Sequence, residues 1–262
     1  MMKAWEEFEI DATKFLNDTY GEFAIFTHEG GADSTLPDIL VETNNGHKFY
    51  IEAKLSKAQC GQFVLQADNN SNTFRYTARN TINEYAIEIM NFMNHNFEEF
   101  KEVGTAGTEI EMNPNVFADW IIDTYAKKGV RWFISEDYVL IPIDKFGEFF
   151  NVSATYRVKK SGSSPVGKTR VNEIVSVIKA LDISTDITDY NISNDKLFVE
   201  SNTNIDKVRF SYGGFDYMFS KRGDAYELRK LSRTFNANVI FSVSLKNKTD
   251  KYQKEFVSYL KD

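Results

Sequence analysis

Residues 37–54, PDILVETNNGHKFYIEAK, combine alternating apolar residues with a short turn. Asn44-Asn45-Gly46 supplies a glycine where a three-residue hairpin loop needs a left-handed conformation. That loop pairs Thr43 with His47 and predicts strands at about 37–43 and 47–55. The register has independent support, because it places the following apolar residues on one face: Ile39, Val41, Phe49, Ile51 and Ala53.

The same register brings two carboxylates together. It places Asp38 opposite Glu52, and Lys54 projects from the same face as Glu52. Facing positions have Cβ atoms about 4.5–5.5 Å apart, and two carboxylates at that distance repel unless a cation or proton lies between them. Mg²⁺ is the natural cation, since it prefers oxygen ligands and few protein carboxylates. The pattern predicts phosphodiester hydrolysis at a metal site; an ordinary salt-bridged edge hairpin is the alternative.

Hydrophobic periodicity predicts the elements around this hairpin. It indicates a helix over 3–19, a strand at 22–27, helices over 77–100 and 116–129, and one or two strands over 130–143. Segment 57–66 predicts a helix from its glutamines at helical spacing, although Gly61 weakens that interpretation. Beyond about residue 150 we expect a polar loop (159–168), a short helix (171–181) and antiparallel strands.

Composition excludes several classes of protein. Hydrophobic residues make up 42% of the 262-residue chain and aromatic residues 15%, so the chain is not disordered. No apolar run approaches the ~20 residues of a membrane span, and the first residues lack the pattern of a secretion signal. One cysteine fits a reducing cytoplasm. The net charge of −7 excludes a global positive field for nucleic acid, so any such contact must use local basic patches.

Pro37-Asp38 followed by Glu52-Ala53-Lys54 resembles the PD-(D/E)XK nuclease superfamily, typified by restriction endonucleases. The order helix, three strands, helix, strand over residues 3–143 also resembles that family. The resemblance implies an α/β core of mixed sheet flanked by helices. It implies that Asp38, Glu52 and the carbonyl of Ala53 bind Mg²⁺, and that Lys54 orients the attacking water. Glu9 is the candidate for a further carboxylate from the first helix, with a solvated position as the alternative.

Two basic clusters are candidates for binding DNA. From Asn151 to Asn172 there is no acidic residue, and the basic residues there are Arg157, Lys159, Lys160, Lys168 and Arg170. Such side chains contact phosphates, although a solvated loop is the alternative. The second cluster comprises Lys221, Arg222, Arg229, Lys230 and Arg233. Gln62 could contact a phosphate or lie on a plain polar surface.

The sequence therefore predicts a catalytic core over 1–150 and a basic, β-rich extension over 151–262 for DNA recognition or dimerisation. The leading hypothesis is a Mg²⁺-dependent type II restriction endonuclease, acting on double-stranded DNA as a homodimer. A nonspecific or structure-selective nuclease of the same superfamily is the second. The third is a non-catalytic DNA-binding module with the same fold.

Overall fold

The computed structural model describes residues 4–29, 36–76, 82–160, 162–193, 196–246 and 250–261. Contacts between Cα atoms divide the chain into two compact units. The first unit comprises Met1–Val158 with Ala237–Asp262, and the second comprises Lys159–Asn236. This division differs from a boundary near residue 150, because the end of the chain returns to the first unit.

The secondary structure is mixed. The helices are α1 (Ala4–Tyr20), α2 (Glu84–His95), α3 (Phe97–Phe100), α4 (Pro114–Lys127), α5 (Phe146–Phe149), α6 (Val171–Lys179) and α7 (Gln253–Lys261). The strands are β1 (Ala24–His28), β2 (Ile39–Thr43), β3 (Lys48–Ala53), β4 (Ala58–Asp68), β5 (Thr73–Tyr76), β6 (Thr108–Glu109), β7 (Val130–Ser135), β8 (Val139–Pro142), β9 (Phe150–Lys160), β10 (Ser163–Pro165), β11 (Ile187–Ser193), β12 (Lys196–Ser201), β13 (Arg209–Tyr212), β14 (Phe215–Arg222), β15 (Ala225–Leu231) and β16 (Phe235–Leu245). No helix among the described residues has the length and apolar content needed to span a membrane.

The sheet that carries the predicted hairpin has the strand order β1-β2-β3-β7-β8. Its β3 and β7 strands are parallel, and its other neighbours are antiparallel. Helices α1 and α7 bury Leu16, Phe256 and Leu260 in one core with β1, β2 and β3. Helices α2 and α4 contribute to a second core. The structure confirms the helices predicted over 3–19, 77–100 and 116–129 and the strands predicted at 22–27, 37–43, 47–55 and 130–143. Residues 77–81 of the helix predicted over 77–100 lie outside the described residues.

The register of the hairpin is the predicted one. Ile39 pairs with Ile51 and Val41 pairs with Phe49, and the Thr43 backbone N–H donates to the carbonyl of His47 at 2.9 Å. Gly46 has a φ of 83°, in the left-handed region that glycine adopts without steric cost. All five side chains of the predicted apolar face are buried in one core.

Residues 58–66 of segment 57–66 belong to strand β4, so the predicted helix is wrong. The strand joins the order β5-β4-β16-β9-β6, and its alternation buries Cys60, Phe63 and Leu65. Its partner β16 follows more than a hundred residues later in the chain, so residue spacing within segment 57–66 does not indicate this pairing. The helical spacing of the glutamines has another cause, a β-bulge.

The bulge adds one residue to β4. Gln62 pairs with Ile240 and Gln59 pairs with Ser242, so three residues of β4 advance against two of β16. Gly61 in the bulge has a φ of 91°. The extra residue turns Gln59 and Gln62 to the same side of the strand, where Gln59 Nε2 donates to Gln62 Oε1 at 3.0 Å.

The second unit contains the predicted antiparallel strands up to residue 231, whereas the last one predicted, at 238–246, corresponds to β16 and belongs to the first unit. The strands of the second unit follow the order β11-β12-β15-β14-β13, with β10 paired to β15. Helix α6 buries Val171, Ile174 and Ile178 in the core of this unit. The segment predicted as a polar loop over 159–168 contains the short strand β10, because Ser163 and Pro165 pair with β15.

Candidate active site

Asp38 and Glu52 are both buried where β2 begins and β3 ends. Their exposed fractions are 8% and 4%. Oδ2 of Asp38 accepts a hydrogen bond from the Ala53 backbone N–H at 3.0 Å, which holds the carboxylate across the end of β3. The positions of both side chains are thereby fixed by the hairpin register.

The ammonium of Lys54 lies among the oxygens that were predicted to bind a metal. Its Nζ atom is 2.5 Å from Oε1 of Glu52, 3.1 Å from the carbonyl oxygen of Ala53 and 3.4 Å from Oδ2 of Asp38. Three oxygens of the predicted set therefore surround one positive charge.

The donor set fits Mg²⁺. It consists of two carboxylates and one backbone carbonyl, all oxygen ligands of the kind that this ion prefers, and Mg²⁺ usually keeps several waters in addition. Among the described residues no group of three or more His, Cys, Asp or Glu side chains is arranged to hold a metal ion. Asp38, Glu52 and Ala53 would hold the ion, and the remaining ligands would be water or substrate.

Burial controls the protonation of this site. Burial raises the pKa of Glu52 to about 7, although the Lys54 ammonium beside it acts in the opposite direction. Burial also disfavours the charged form of Lys54, but the Glu52 and Asp38 carboxylates outweigh this and raise the pKa of the ammonium. Lys54 is therefore a cation throughout the physiological range, and Glu52 exchanges its proton near neutrality.

Glu9 lies on the inward side of α1. It is 5% exposed, and its Oε2 is 3.2 Å from Nε2 of His28. Burial, reinforced by the charge of Asp38, raises the pKa of Glu9. Glu9 also lines one cleft of about 440 Å³ with Ala53 and Lys54. The structure thus brings the candidate from the first helix to the cleft that contains Lys54.

Two residues that the sequence reasoning missed support the loop after β3. Ser135 Oγ donates to the carbonyl of Lys54 at 2.7 Å, and Glu136 Oε1 accepts from the Ser56 backbone N–H at 3.2 Å. The break between strands near residue 136 was visible in the sequence, but its contact with residues 54–56 depends on the parallel pairing of β3 and β7.

Cys60 is buried, and burial raises its pKa to about 12, so its thiol is unreactive.

The predicted DNA-binding residues are distributed over both units. In the first unit Gln62 is exposed and Arg157 is half-buried on β9. Exposed Lys159 and Lys160 end β9 and belong to the second unit, with Arg170. The guanidinium of Arg170 lies 5.2 Å from the ring centre of Phe215. The side chain of Lys168 lies outside the described ones.

Part of the second basic cluster has a structural explanation. Arg229 Nη1 is 2.6 Å from Oε1 of Glu227, and Arg222 Nε is 3.3 Å from Oε2 of the same carboxylate. Glu227 is 2% exposed, so it needs these two cations. Lys230 differs: its ammonium lies 3.4 Å from the ring centre of Phe215, which Arg170 also contacts.

Comparison with solved structures finds a protein similar to this chain over nearly its whole length. HhaI endonuclease, solved in complex with DNA, superposes with a TM-score of 0.78 and 38% sequence identity. The match covers 98% of this chain and 99% of that chain. It thus extends well beyond residues 3–143. No protein-family model matches the chain, and no curated protein matches it.

Proposed function

Since this chain belongs to the restriction endonucleases, we propose that it is a Mg²⁺-dependent type II enzyme of that family. It hydrolyses both strands of DNA at a short specific sequence and leaves 5′-phosphate ends. The similar protein, HhaI endonuclease, was solved with DNA, which supports double-stranded DNA as the substrate. We further propose that the enzyme acts in the cytoplasm.

One observation carries the proposal. Oxygens of Asp38, Glu52 and Ala53 converge on a single positive charge, the ammonium of Lys54. A non-catalytic protein has little reason to bury two carboxylates beside each other, because burial of like charges is costly. Convergent oxygens beside a cleft suit a divalent cation.

The residues of the site have distinct roles in this proposal. Asp38 and Glu52 would hold Mg²⁺ together with the Ala53 carbonyl, and the ion would supply charge stabilisation and activation of water when bound. Lys54 donates a hydrogen bond to the attacking water and orients it. Glu9 lines the same cleft and adds a further carboxylate there. Ser135 and Glu136 hold the backbone of residues 54–56 in place.

A plasmid digest tests the proposal. Incubation with Mg²⁺ should give discrete fragments, and run-off sequencing should find the same short sequence and a 5′-phosphate at every end. Asp38→Ala should leave the plasmid intact, since it removes an oxygen that a metal needs. Wild-type protein in EDTA should also leave it intact.

Two other outcomes correspond to the alternatives. A smear without discrete fragments would indicate a nonspecific or structure-selective nuclease. Equal DNA binding in Mg²⁺ and EDTA, with no cleavage in either, would indicate a non-catalytic binding module.

We also propose a homodimer. Short recognition sequences of such enzymes are commonly palindromic, and a two-fold symmetric dimer matches a two-fold symmetric site. The basic, β-rich region over 151–262 would then supply recognition or dimer contacts. Its candidate DNA-binding residues are Arg157, Lys159, Lys160, Lys168 and Arg170, with Gln62 on β4. Sedimentation equilibrium with and without duplex DNA would test the dimer.

A further inference from the structure

Lys57 lies at the rim of a cleft that is also lined by Glu9, Ala53 and Lys54 of the candidate active site. It lies in the short connection between β3 and β4, three residues after Lys54, and it is exposed. The cleft lining includes Lys57 together with Glu9, Lys54 and Gln59. A side chain at this position faces any molecule that enters the cleft.

The backbone of Lys57 is in a conformation that lysine rarely adopts. Its φ is 61°, in the left-handed region, where a side chain without special hydrogen bonding is disfavoured. Strained residues of this kind persist when the surrounding structure over-determines them, and they cluster at functional sites. Glycine or asparagine would fit this backbone better, so backbone preference does not explain the lysine.

The connection around Lys57 is firmly held. The carbonyl of Lys54 accepts from Ser135 Oγ at 2.7 Å, and the Ser56 N–H donates to Glu136 at 3.2 Å. On the other side β4 begins at Ala58, which pairs with Val243. Lys57 therefore stands between two anchored segments, so its Cα position is fixed although its side chain is exposed.

The charge of Lys57 has no counterpart within the part of the chain that the structure describes. Among those residues no carboxylate forms an ion pair with its ammonium. Lys54, by contrast, is neutralised by Glu52 and Asp38. Lys57 thus presents an unmatched positive charge at the rim of the cleft.

We propose that Lys57 binds a phosphate of the DNA backbone as the duplex enters the cleft. The inference rests on the proposed function, since it presumes that the cleft accepts DNA. Lysine contacts phosphates as a point charge without reading sequence. A fixed backbone position and an unmatched ammonium are the two properties that such a contact requires.

The test is DNA binding in EDTA, where cleavage does not interfere. Affinity for a short fluorescein-labelled duplex of mixed sequence is measured by anisotropy at several salt concentrations. The variants are Lys57→Asn, which removes the charge but tolerates the left-handed backbone, and Lys57→Arg, which keeps the charge. Lys207→Asn is the matched control: Lys207 is also left-handed, with a φ of 67°, but its Nζ lies 3.4 Å from Asp206 Oδ1.

The expected result is a loss of one phosphate contact in Lys57→Asn. Its affinity should fall about three- to tenfold, and the slope of log K against log salt should decrease by about 0.9. Lys57→Arg and Lys207→Asn should retain the wild-type slope. The melting temperature of Lys57→Asn should be no lower than that of the wild type, which separates lost binding from lost folding.

Two results would overturn the inference, in different ways. If the wild type binds the duplex and Lys57→Asn binds it with the same affinity and slope, Lys57 does not contact a phosphate and the proposed function stands. If the wild type does not bind duplex DNA at all, the inference and the proposed function both fail.

Discussion

Nζ of Lys54 lies 2.5 Å from Oε1 of Glu52, and the two side chains are 14% and 6% exposed. The ammonium of Lys54 therefore balances charge on the buried carboxylates of Glu52 and Asp38. A metal ion that binds the same oxygens must compete with this ammonium. Removal of Lys54 should consequently lower the stability of the metal-free protein and strengthen the binding of a metal ion.

We expect Lys54→Met to destabilise the metal-free protein by about 3–5 kcal/mol, because two buried carboxylates then lack the cation that balances their charge. Mg²⁺ should raise the melting temperature of this variant by more than it raises that of the wild type, since the ion replaces the lost charge. Calorimetry of both proteins with and without Mg²⁺ measures this difference. Equal Mg²⁺-induced shifts would contradict it.

Lys48→Met is the matched control for this measurement. Lys48 is also a hairpin lysine and pairs with Glu42, but the pair is exposed to water. Exposed pairs contribute at most about 1 kcal/mol. The control should therefore lose little stability and should respond to Mg²⁺ as the wild type does.

Metal binding should depend on pH through Glu52. Burial raises the pKa of this carboxyl to about 7, and a metal ligand must be ionised. Below about pH 7 protons compete, so affinity for Mg²⁺ should fall by up to about tenfold for each pH unit. Above pH 7 the affinity should level off. Isothermal titration across this range, without DNA, checks the prediction, and an affinity independent of pH would contradict it.

Much of the site could be predicted because its geometry is local. Alternation along residues 37–54 and the glycine of a short loop determine the register, and the register brings Asp38 and Glu52 together. The helix predicted for segment 57–66 was wrong for the opposite reason. Its strand pairs with β16, more than a hundred residues later, and its bulge puts Gln59 and Gln62 on one side as a helix would.

The packing of the last helix against the hairpin sheet could not be predicted from the sequence either. Helix α7 buries Phe256 and Leu260 in the core of the hairpin sheet, yet nothing in the hairpin sequence specifies which later segment covers it. Ser135 and Glu136 likewise reach residues 54–56 only through the parallel pairing of β3 with β7. These contacts depend on topology, which spacing along the sequence does not encode.

Glu9 should make stability depend on pH. Burial and Asp38 raise its pKa above 4.5, so the native state holds this proton at a higher pH than the unfolded chain. The native state therefore loses stability as pH rises beyond 4.5, where the unfolded carboxyl is already ionised. Glu9→Gln escapes this loss. Its melting temperature should exceed that of the wild type near neutral pH, and the two should converge towards pH 4.5.

The control for this comparison is Glu7→Gln, an exposed position on the same helix. It should follow the wild-type profile at every pH, since its carboxyl is hydrated in both states. A constant difference between Glu9→Gln and the wild type across the pH range would show that the ionisation of Glu9 does not affect folding.

Comparison of Gly61→Ala with Gly46→Ala separates two costs to stability. One is the cost of placing a Cβ against Trp120 in the β4 bulge, and the other is the cost of alanine in a left-handed backbone conformation. Both glycines are left-handed, with φ values of 91° and 83°, and alanine in that region costs about 1–2 kcal/mol. A Cβ at Gly46 meets nothing within 4 Å, whereas one at Gly61 would lie 2.6 Å from Cζ3 of Trp120. Trp120 is buried and packs on Phe241, so it has little freedom to move.

We therefore expect Gly61→Ala to lose about 1–3 kcal/mol beyond the loss in Gly46→Ala, the usual range for overpacking a core. Urea denaturation of the two variants measures the difference directly. The clash should also displace the bulge that turns Gln59 towards the cleft, so cleavage should decrease more in Gly61→Ala than in Gly46→Ala under conditions where both are folded. Equal stabilities would mean that β4 accommodates a Cβ against Trp120, and the bulge would then require glycine for its backbone conformation alone.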